Sequence, residues 1–359
     1  MILAGGFATR LRPLSCSRPK TLFPIVNKPL LEWIFEKLAK DGCEEAVLGV
    51  NALTQFYIRQ QRPPKHGLRV RFSLDPPRIP LGTAGPVKKA ERLLGHDKPF
   101  IVLNGDIFAD LSYRELYEAH VKANAAATIA LCRVEDPSRY GVAEIENNDR
   151  ITRFIEKPPR EKAPSNLINA GVYILSPKIF EYIPSGKHVS MEREVFPRLA
   201  EEGKLYGHFT EGLWIDIGKP EEYLQTNKVI LDSLTQNLNH VIPKDFELVN
   251  PVAFDRDVSI GEKSVVGPYA ILGKNVAVGK NVKISNSVVF PHVTIDDFAV
   301  VEEAIIGEGA HIGKKVTLSR GCVIGDHAKI KDNLHLSDSS AVCPAKEVAE
   351  NIIKPKVNC

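Results

Sequence analysis

Aliphatic and aromatic residues recur every six positions through the last third of the chain, at Leu248, Phe254, Ile260, Val266, Leu272, Val278, Ile284 and Phe290. Glycine follows directly at Gly261, Gly267, Gly273 and Gly279. After a slip through Ile295 and Val301 the phase resumes at Ile306, Ile312, Leu318, Ile324, Ile330 and Leu336, with Gly307, Gly313 and Gly325 behind. One inward aliphatic per hexad with a small neighbour predicts a parallel β-helix whose triangular coils each take three hexads, about five coils here. Such hexads favour the left-handed form, an exception to the right-handed crossover rule. An open-ended solenoid needs its terminal coils covered, so residues 236–345 are expected to build a homo-oligomer and to serve assembly and regulation.

Before residue 230 the pattern alternates between strand and helix periods. Leu30, Leu31, Ile34, Phe35 and Leu38 share one helical face, with Gly42 as a stop. Ala46 to Val50 and Pro99 to Leu103 read as buried strands, Ser112 as the cap of a helix, and Thr128 to Val134 as a further buried strand. This order predicts an α/β domain, a Rossmann-like doubly wound sheet with ligands beyond the carboxyl ends of its strands. The short β-branched runs in 142–176 read as an inserted mixed-sheet lobe, and a helix runs from Pro220 to about Leu234. The expected domains are 1–235, catalytic; 236–345, β-helix; and 346–359, a tail. Only Met1 to Ala4 precede the first glycines, with Met1-Ile2-Leu3 short for a central strand of about five or six residues, which suggests a native start slightly upstream.

Composition changes this picture little. The 359 residues suffice for two cores, and 43% hydrophobic with 25% charged residues is ordinary for a globular protein. A net charge of +3 does not point to nucleic acid. No apolar run approaches the roughly 18 residues of a membrane span, and nothing reads as a signal peptide, so neither a membrane nor secretion is expected. Cys16, Cys43, Cys132, Cys322, Cys343 and Cys359 show no metal-ligand spacing and read as reduced, mostly buried thiols of a cytoplasmic protein.

The local charge pattern is more informative. A short apolar strand runs into Gly5-Gly6, and Arg10, Arg12, Arg18, Lys20 and Lys28 follow with no carboxylate until Glu32. Paired glycines let backbone N–H groups press against an anion, and fixed cations behind them suit a polyphosphate. Neither GxxxxGK[ST] nor GxGxxG is present, so this is neither a P-loop nor a dinucleotide fingerprint. Asp106 ends an apolar strand and Asp216 sits in Trp214-Ile215-Asp216-Ile217-Gly218. Each alone reads equally as a cap or turn former, but two such carboxylates together suit Mg²⁺ with phosphate oxygens and water. Glu156-Lys157-Pro158 closes the strand from Ile151 to Ile155, and a point cation there suits a phosphate monoester, although a surface lysine in a turn is common.

The string Gly-Gly-x-x-Thr-Arg-Leu-x-Pro from Gly5 to Pro13, with Pro19-Lys20 after it, resembles the signature of the sugar-1-phosphate nucleotidyltransferases. Leu81 to Pro86, Asn104-Gly105-Asp106, Tyr140-Gly141-Val142, Glu156-Lys157-Pro158 and Asn169 to Tyr173 resemble further segments of that family in the right order. The resemblance implies a nucleotide site at Leu3, Ala4, Gly5, Gly6, Thr9, Arg10, Gly82, Thr83, Gly85, Asn104 and Asp106. It implies a sugar-phosphate site at Tyr140, Gly141, Glu156, Lys157, Asn169 and Gly171, a metal pair Asp106 and Asp216, and Arg10, Lys20 and Lys157 as the catalytic cations. The implied partners are a nucleoside triphosphate and a sugar 1-phosphate, with Mg²⁺ as cofactor. Asp136 to Val142, Ile168 to Pro177, Glu194 to Pro197 and Val342 to Val348 are similar to the mannose-1-phosphate guanylyltransferases that carry a β-helix tail, which implies GTP and mannose 1-phosphate.

Two departures keep glucose-1-phosphate thymidylyl or uridylyl transfer open. Phe7-Ala8 stands where an aromatic and a glycine are common, and Asn104-Gly105-Asp106 where eukaryotic members have Asn-Ser-Asp. A hexad β-helix also admits amino-sugar acetyl transfer, which needs a general-base histidine such as His292, His311, His327 or His335, but no accompanying signature is found. A non-catalytic subunit would tend to lose the metal or phosphate residues, and here they are all present.

Overall fold

The computed structural model describes residues 1–359 apart from 7, 78–79, 236–244, 356 and 359. By contacts the chain forms two compact units, Met1–Gly6 with Leu31–Asp216, and Phe7–Leu30 with Ile217–Cys359. The segment carrying most of the basic signature therefore groups with the C-terminal residues, not with the sheet that precedes it in sequence.

In chain order the strands of the first 216 residues are β1 (Ile2–Leu3), β2 (Pro24–Ile25), β3 (Lys28–Pro29), β4 (Glu45–Val50), β5 (Arg69–Leu74), β6 (Phe100–Asn104), β7 (Ile107–Ala109) and β8 (Ala127–Arg133). They continue with β9 (Gly141–Ile145), β10 (Ile151–Glu156), β11 (Leu167–Leu175), β12 (Leu205–Phe209) and β13 (Trp214–Asp216). A nine-stranded sheet in the order β10-β9-β11-β6-β1-β4-β5, with β8 on β11 and β12 on β8, forms the first unit. β6, β1, β4 and β5 are parallel, and all of β4 after Glu45 is buried, as a strand covered on both faces requires. β9, β10 and β11 are antiparallel members of this same sheet, the mixed region expected at 142–176. Asn51 caps the helix Ala52–Gln61 and Ser112 the helix Tyr113–Ala123, each accepting the N–H three residues on. The core gathers around Val102, Ile129, Leu131, Tyr173, Phe196 and Leu205, all at most 1% exposed.

In the second unit three parallel sheets of six, seven and six strands stack into a left-handed β-helix. Its interior holds Val266, Leu272, Val278, Ile284, Val289, Ile295, Val301, Ile306 and Ile312, continuing to Val342 and Val348. A second inward set stands two positions earlier, at Val276, Val282, Val293, Val316, Cys322 and Ala328. The hexad reading needs correction at Phe290: the interior position belongs to Val289. One hexad shortens to five residues at Ile284–Val289 and another at Val301–Ile306. The corners record the same steps, because one residue per hexad takes positive φ, including Asn275, Asn281, Asn286, His292, Phe298 and Glu303. Asn reaches the left-handed region at little cost, which explains its recurrence there. Gly307 needs its missing side chain, since a Cβ would stand 2.7 Å from the Asp326 nitrogen in the coil above. The stretch 346–359 adds strands to the stack, Glu347–Val348 and Val357–Asn358.

Residues 8–30 pack within this same unit. The Phe23 ring meets Tyr223 edge-on at 5.8 Å and Phe290 at 6.2 Å. Val26 donates its N–H to Asn227 at 2.8 Å, and Asn27 donates to the Leu272 carbonyl at 3.0 Å. Cys132 and Cys322 are buried free thiols and Cys16 an exposed one, but Cys343 is disulfide-bonded, correcting the expectation of reduced thiols throughout. Cys359 lies outside the described residues.

Candidate functional site

In the first unit, β1 lies between β6 on one side and β4 and β5 on the other, so chain order reverses at β1. At such a switch point the carboxyl ends of neighbouring strands leave a crevice. Those ends carry Ala4-Gly5-Gly6 after β1, Asn51 after β4, Asp75 after β5 and Gly105-Asp106 after β6. The Asn51 side chain is fixed twice, accepting from the Thr54 N–H at 2.8 Å and donating to the Gly5 carbonyl at 3.0 Å. A Cβ on Gly5 would lie 2.6 Å from Asp75 Oδ2, and one on Gly105 2.8 Å from the Leu3 carbonyl oxygen, whereas Gly6 faces open space. Gly105 is thus required by packing against backbone, whereas a side chain at Gly5 would have to displace the Asp75 carboxylate.

Asp75 was not among the residues singled out from sequence. Its Oδ1 is buried and has no hydrogen-bond partner among the described residues. Burial raises its carboxyl above the ordinary range, and Lys89 opposes this.

The expected metal pair comes from a two-stranded ladder. β7 and β13 pair antiparallel with Ile107 opposite Asp216, so Asp106, one residue before Ile107, lies at the same end as Asp216. Among the described residues no group of three or more His, Cys, Asp or Glu side chains is gathered for a metal. Two hard oxygen donors fit a cation that completes its shell with water and phosphate oxygens, and do not fit zinc or iron.

The β9–β10 hairpin carries Tyr140, Gly141, Glu156 and Lys157, the residues expected on the sugar side. Glu156 pairs with Gly141, and the Lys157 N–H extends the ladder to the Tyr140 carbonyl at 2.9 Å. Lys157 has φ of +52°, which turns its exposed side chain off the strand, with Nζ 3.4 Å from the half-buried Glu156 carboxylate. Burial raises Glu156 above the usual carboxylate range, the adjacent Lys157 charge opposes it, and Glu192 adds to the rise. β11 is irregular against β8 between Asn169 and Tyr173. There Asn169 accepts from the Gly171 N–H at 2.7 Å and donates to the Tyr173 hydroxyl at 3.0 Å. Gly171 has φ of +69°, and a Cβ on it would lie 2.7 Å from the Asn104 side-chain nitrogen. Trp214 donates to the Ala170 carbonyl at 2.9 Å and meets the Tyr140 ring edge-on at 5.2 Å.

The loop of Gly82, Thr83 and Gly85 closes against residues 187–192. Thr83 donates to Glu192 at 2.6 Å and accepts from the Met191 N–H at 2.8 Å. The space in front of Gly85 is taken by Leu81 and the Lys187 carbonyl, so local packing explains this glycine without a ligand against it. Glu192, also missed from sequence, influences both Glu156 and Tyr173 electrostatically and thereby links this loop to β10 and β11. The first unit thus gathers Gly5, Asn104, Asp106, Asp216, Gly82, Thr83, Asn169, Gly171, Tyr140, Glu156 and Lys157 around its strand ends.

The remaining candidates belong to the second unit. Thr9 and Arg10 lie exposed in the turn Thr9–Leu11. Lys20 is 8% exposed in the turn Lys20–Leu22, where the Phe23 N–H returns to the Lys20 carbonyl at 3.0 Å.

A strand-end crevice with a glycine turn, paired aspartates and a lysine beside a glutamate defines a nucleotidyl-transfer fold, and residues 1–233 match the Nucleotidyl transferase family, to which the chain belongs. Residues 248–358 match the GMPPB C-terminal domain. The chain is 33% identical over 360 residues to mannose-1-phosphate guanylyltransferase 1 of Arabidopsis thaliana, covering 99% of both chains. It is 38% identical to the mannose-1-phosphate guanylyltransferase catalytic subunit beta of Dictyostelium discoideum, over 71% of this chain and 70% of that protein. Among solved structures, HddC from Yersinia pseudotuberculosis complexed with GMP-PN superposes with a TM-score of 0.54 at 31% identity, covering 64% of this chain and 97% of that one. No helix among the described residues is long and apolar enough to cross a membrane.

Proposed function

We propose that the chain transfers a guanylyl group from GTP to mannose 1-phosphate, with Mg²⁺, giving GDP-mannose and pyrophosphate. The names of its relatives support the sugar. The observation that carries the base is Asp75, a carboxylate beside Gly5 with one buried oxygen lacking a partner among the described residues. Guanine offers adjacent N–H donors at N1 and N2, which a carboxylate accepts side by side; thymine, uracil and adenine have no such pair.

An oxygen of the sugar phosphate attacks the α-phosphorus in line, and the bond from that phosphorus to the oxygen bridging the β-phosphorus breaks as pyrophosphate leaves. The attacking group is already an anion, so no nucleophilic side chain and no general base is needed, and rate comes from alignment and charge neutralisation. In this reading the Gly5-Gly6 backbone and Arg10 hold the departing phosphates, and Lys20 meets the charge growing on the α-phosphate. Lys157 aligns the attacking phosphate, while Glu156 and Asn169 accept and donate to sugar hydroxyls. Asp106 and Asp216 would hold Mg²⁺, which when bound neutralises phosphate charge. The chemistry falls within residues 1–235, leaving the β-helix for assembly and regulation.

The test is pyrophosphate release with Mg²⁺ across four nucleotides and mannose or glucose 1-phosphate. GTP with mannose 1-phosphate is expected to be fastest, and Asp75→Asn to lower the preference for GTP by about tenfold to a hundredfold. Faster turnover of thymidine triphosphate with glucose 1-phosphate would refute the guanylyl reading and leave the reaction class standing.

A further inference from the structure

Arg18 lies two residues before Lys20, among the cations that the sequence reading assigns to a polyphosphate, yet its charge is already committed. It is 7% exposed. Its guanidinium donates to Glu308 and, at 3.3 Å, to Asp326 Oδ2, and lies 4.9 Å from the centre of the Phe290 ring. Asp326 is itself 5% exposed and held from two sides: Oδ1 accepts the Glu308 N–H of the preceding coil at 2.8 Å, while Oδ2 also accepts from Ser17 Oγ at 2.7 Å. The clamp therefore joins the turn that bears Lys20 to two successive coils of the β-helix, and all its members lie in one compact unit.

Desolvating a guanidinium and a carboxylate is unfavourable, and apolar side chains often stabilise a fold as well as such a pair does. What a planar fork between two fixed carboxylates supplies is orientation. Phe290 contributes to the same end, occupying the position that the five-residue coil step turns out of the interior and toward Arg18 and Phe23.

We propose that Arg18 is a positioning residue for nucleotidyl transfer, through which Glu308 and Asp326 of the β-helix fix the turn carrying Lys20. The β-helix then acts on the rate and not only on assembly. This rests on the reading of Lys20 as the cation that meets the α-phosphate.

The experiment uses the full-length chain and compares Arg18→Met, Arg18→Lys, Asp326→Asn and Lys20→Ala with wild type, by steady-state kinetics in both substrates and by thermal melting. Arg18→Met and Asp326→Asn are expected to lower kcat by about tenfold to a hundredfold, as for a misplaced catalytic group, with KM for mannose 1-phosphate unchanged. Arg18→Lys is expected to stay impaired, because one ammonium cannot span both carboxylates. The Arg18→Met, Asp326→Asn double variant should be no slower than the worse single variant, since both act through one turn. Folded Arg18→Met or Asp326→Asn at wild-type kcat overturns the proposal, as does a loss spread equally over KM for both substrates. If Arg18→Met does not fold, Asp326→Asn carries the same test. Lys20→Ala at the wild-type rate refutes the reading of Lys20 and with it the route from Arg18 to the rate, whereas a slow Lys20→Ala beside wild-type Arg18→Met and Asp326→Asn overturns the positioning proposal alone.

Discussion

At the scale of single residues, the aspartate pair has the sharpest consequence. Asp106 and Asp216 come from opposite strands of one short ladder, so neither substitutes for the other. Asp106→Asn and Asp216→Asn keep shape and hydrogen-bonding capacity but each remove one unit of negative charge from a two-carboxylate site. Each is expected to abolish pyrophosphate release at ordinary Mg²⁺ with an unchanged melting temperature. Near wild-type activity in either variant would refute that residue's role. These two, with Glu156-Lys157 and Asn169, are legible in sequence because each carries its chemistry in a local motif. Asp75 and Glu192 are not, for they reach the site through parallel strand order and a loop–loop contact that no local pattern encodes. Arg18 reads as one more phosphate-binding cation until its partners, some 290 and 308 positions away, are seen.

At the scale of elements, the helix Tyr113–Ala123 is joined to the sheet by a buried polar link with a pH signature. His120 is 1% exposed, with Nδ1 2.9 Å from Thr128 Oγ1 on β8 and Nε2 2.9 Å from Ser176 Oγ. Burial lowers its pKa from 6.5 to about 4. Between those values the unfolded chain binds a proton that the folded chain does not, so stability falls as pH drops from about 6.5 to about 4 and this contribution is constant below. The loss amounts to about 3 kcal/mol. Urea melts at pH 7 and pH 4.5 should show it, with a smaller pH dependence in His120→Gln; an equal dependence in the variant would show that the titrating group lies elsewhere. The same scale explains where the hexad pattern misleads. Inward aliphatics followed by glycine make most coils readable, but Val288-Val289-Phe290 offers three apolar residues in a row. Only the backbone corners, shortened between Asn281 and Asn286, decide that Val289 turns inward.

At the scale of the molecule, the β-helix ends leave apolar surface exposed among the described residues. On the first rung Leu248, Val252, Val258 and Ile260 are only partly buried, and Phe254, in register with the buried Leu272, is 37% exposed. At the other end Ile353 is 79% and Val357 65% exposed. Interior coils bury the equivalent positions almost completely, so the exposure belongs to the ends and not to the repeat. Exposed apolar ends favour association, and a symmetric pairing of identical chains through one such end buries it without propagating into an open filament. We therefore propose a homo-oligomer formed through residues 236–345, with a dimer as its smallest form. Light scattering of the full-length chain at micromolar concentration is expected to give at least twice the chain mass of 39.7 kDa. Phe254→Glu, which places a charge on the open rung, should shift that mass downward while leaving the melting of the fold intact. A wild-type mass of one chain across the accessible concentration range would refute the assembly role of the β-helix.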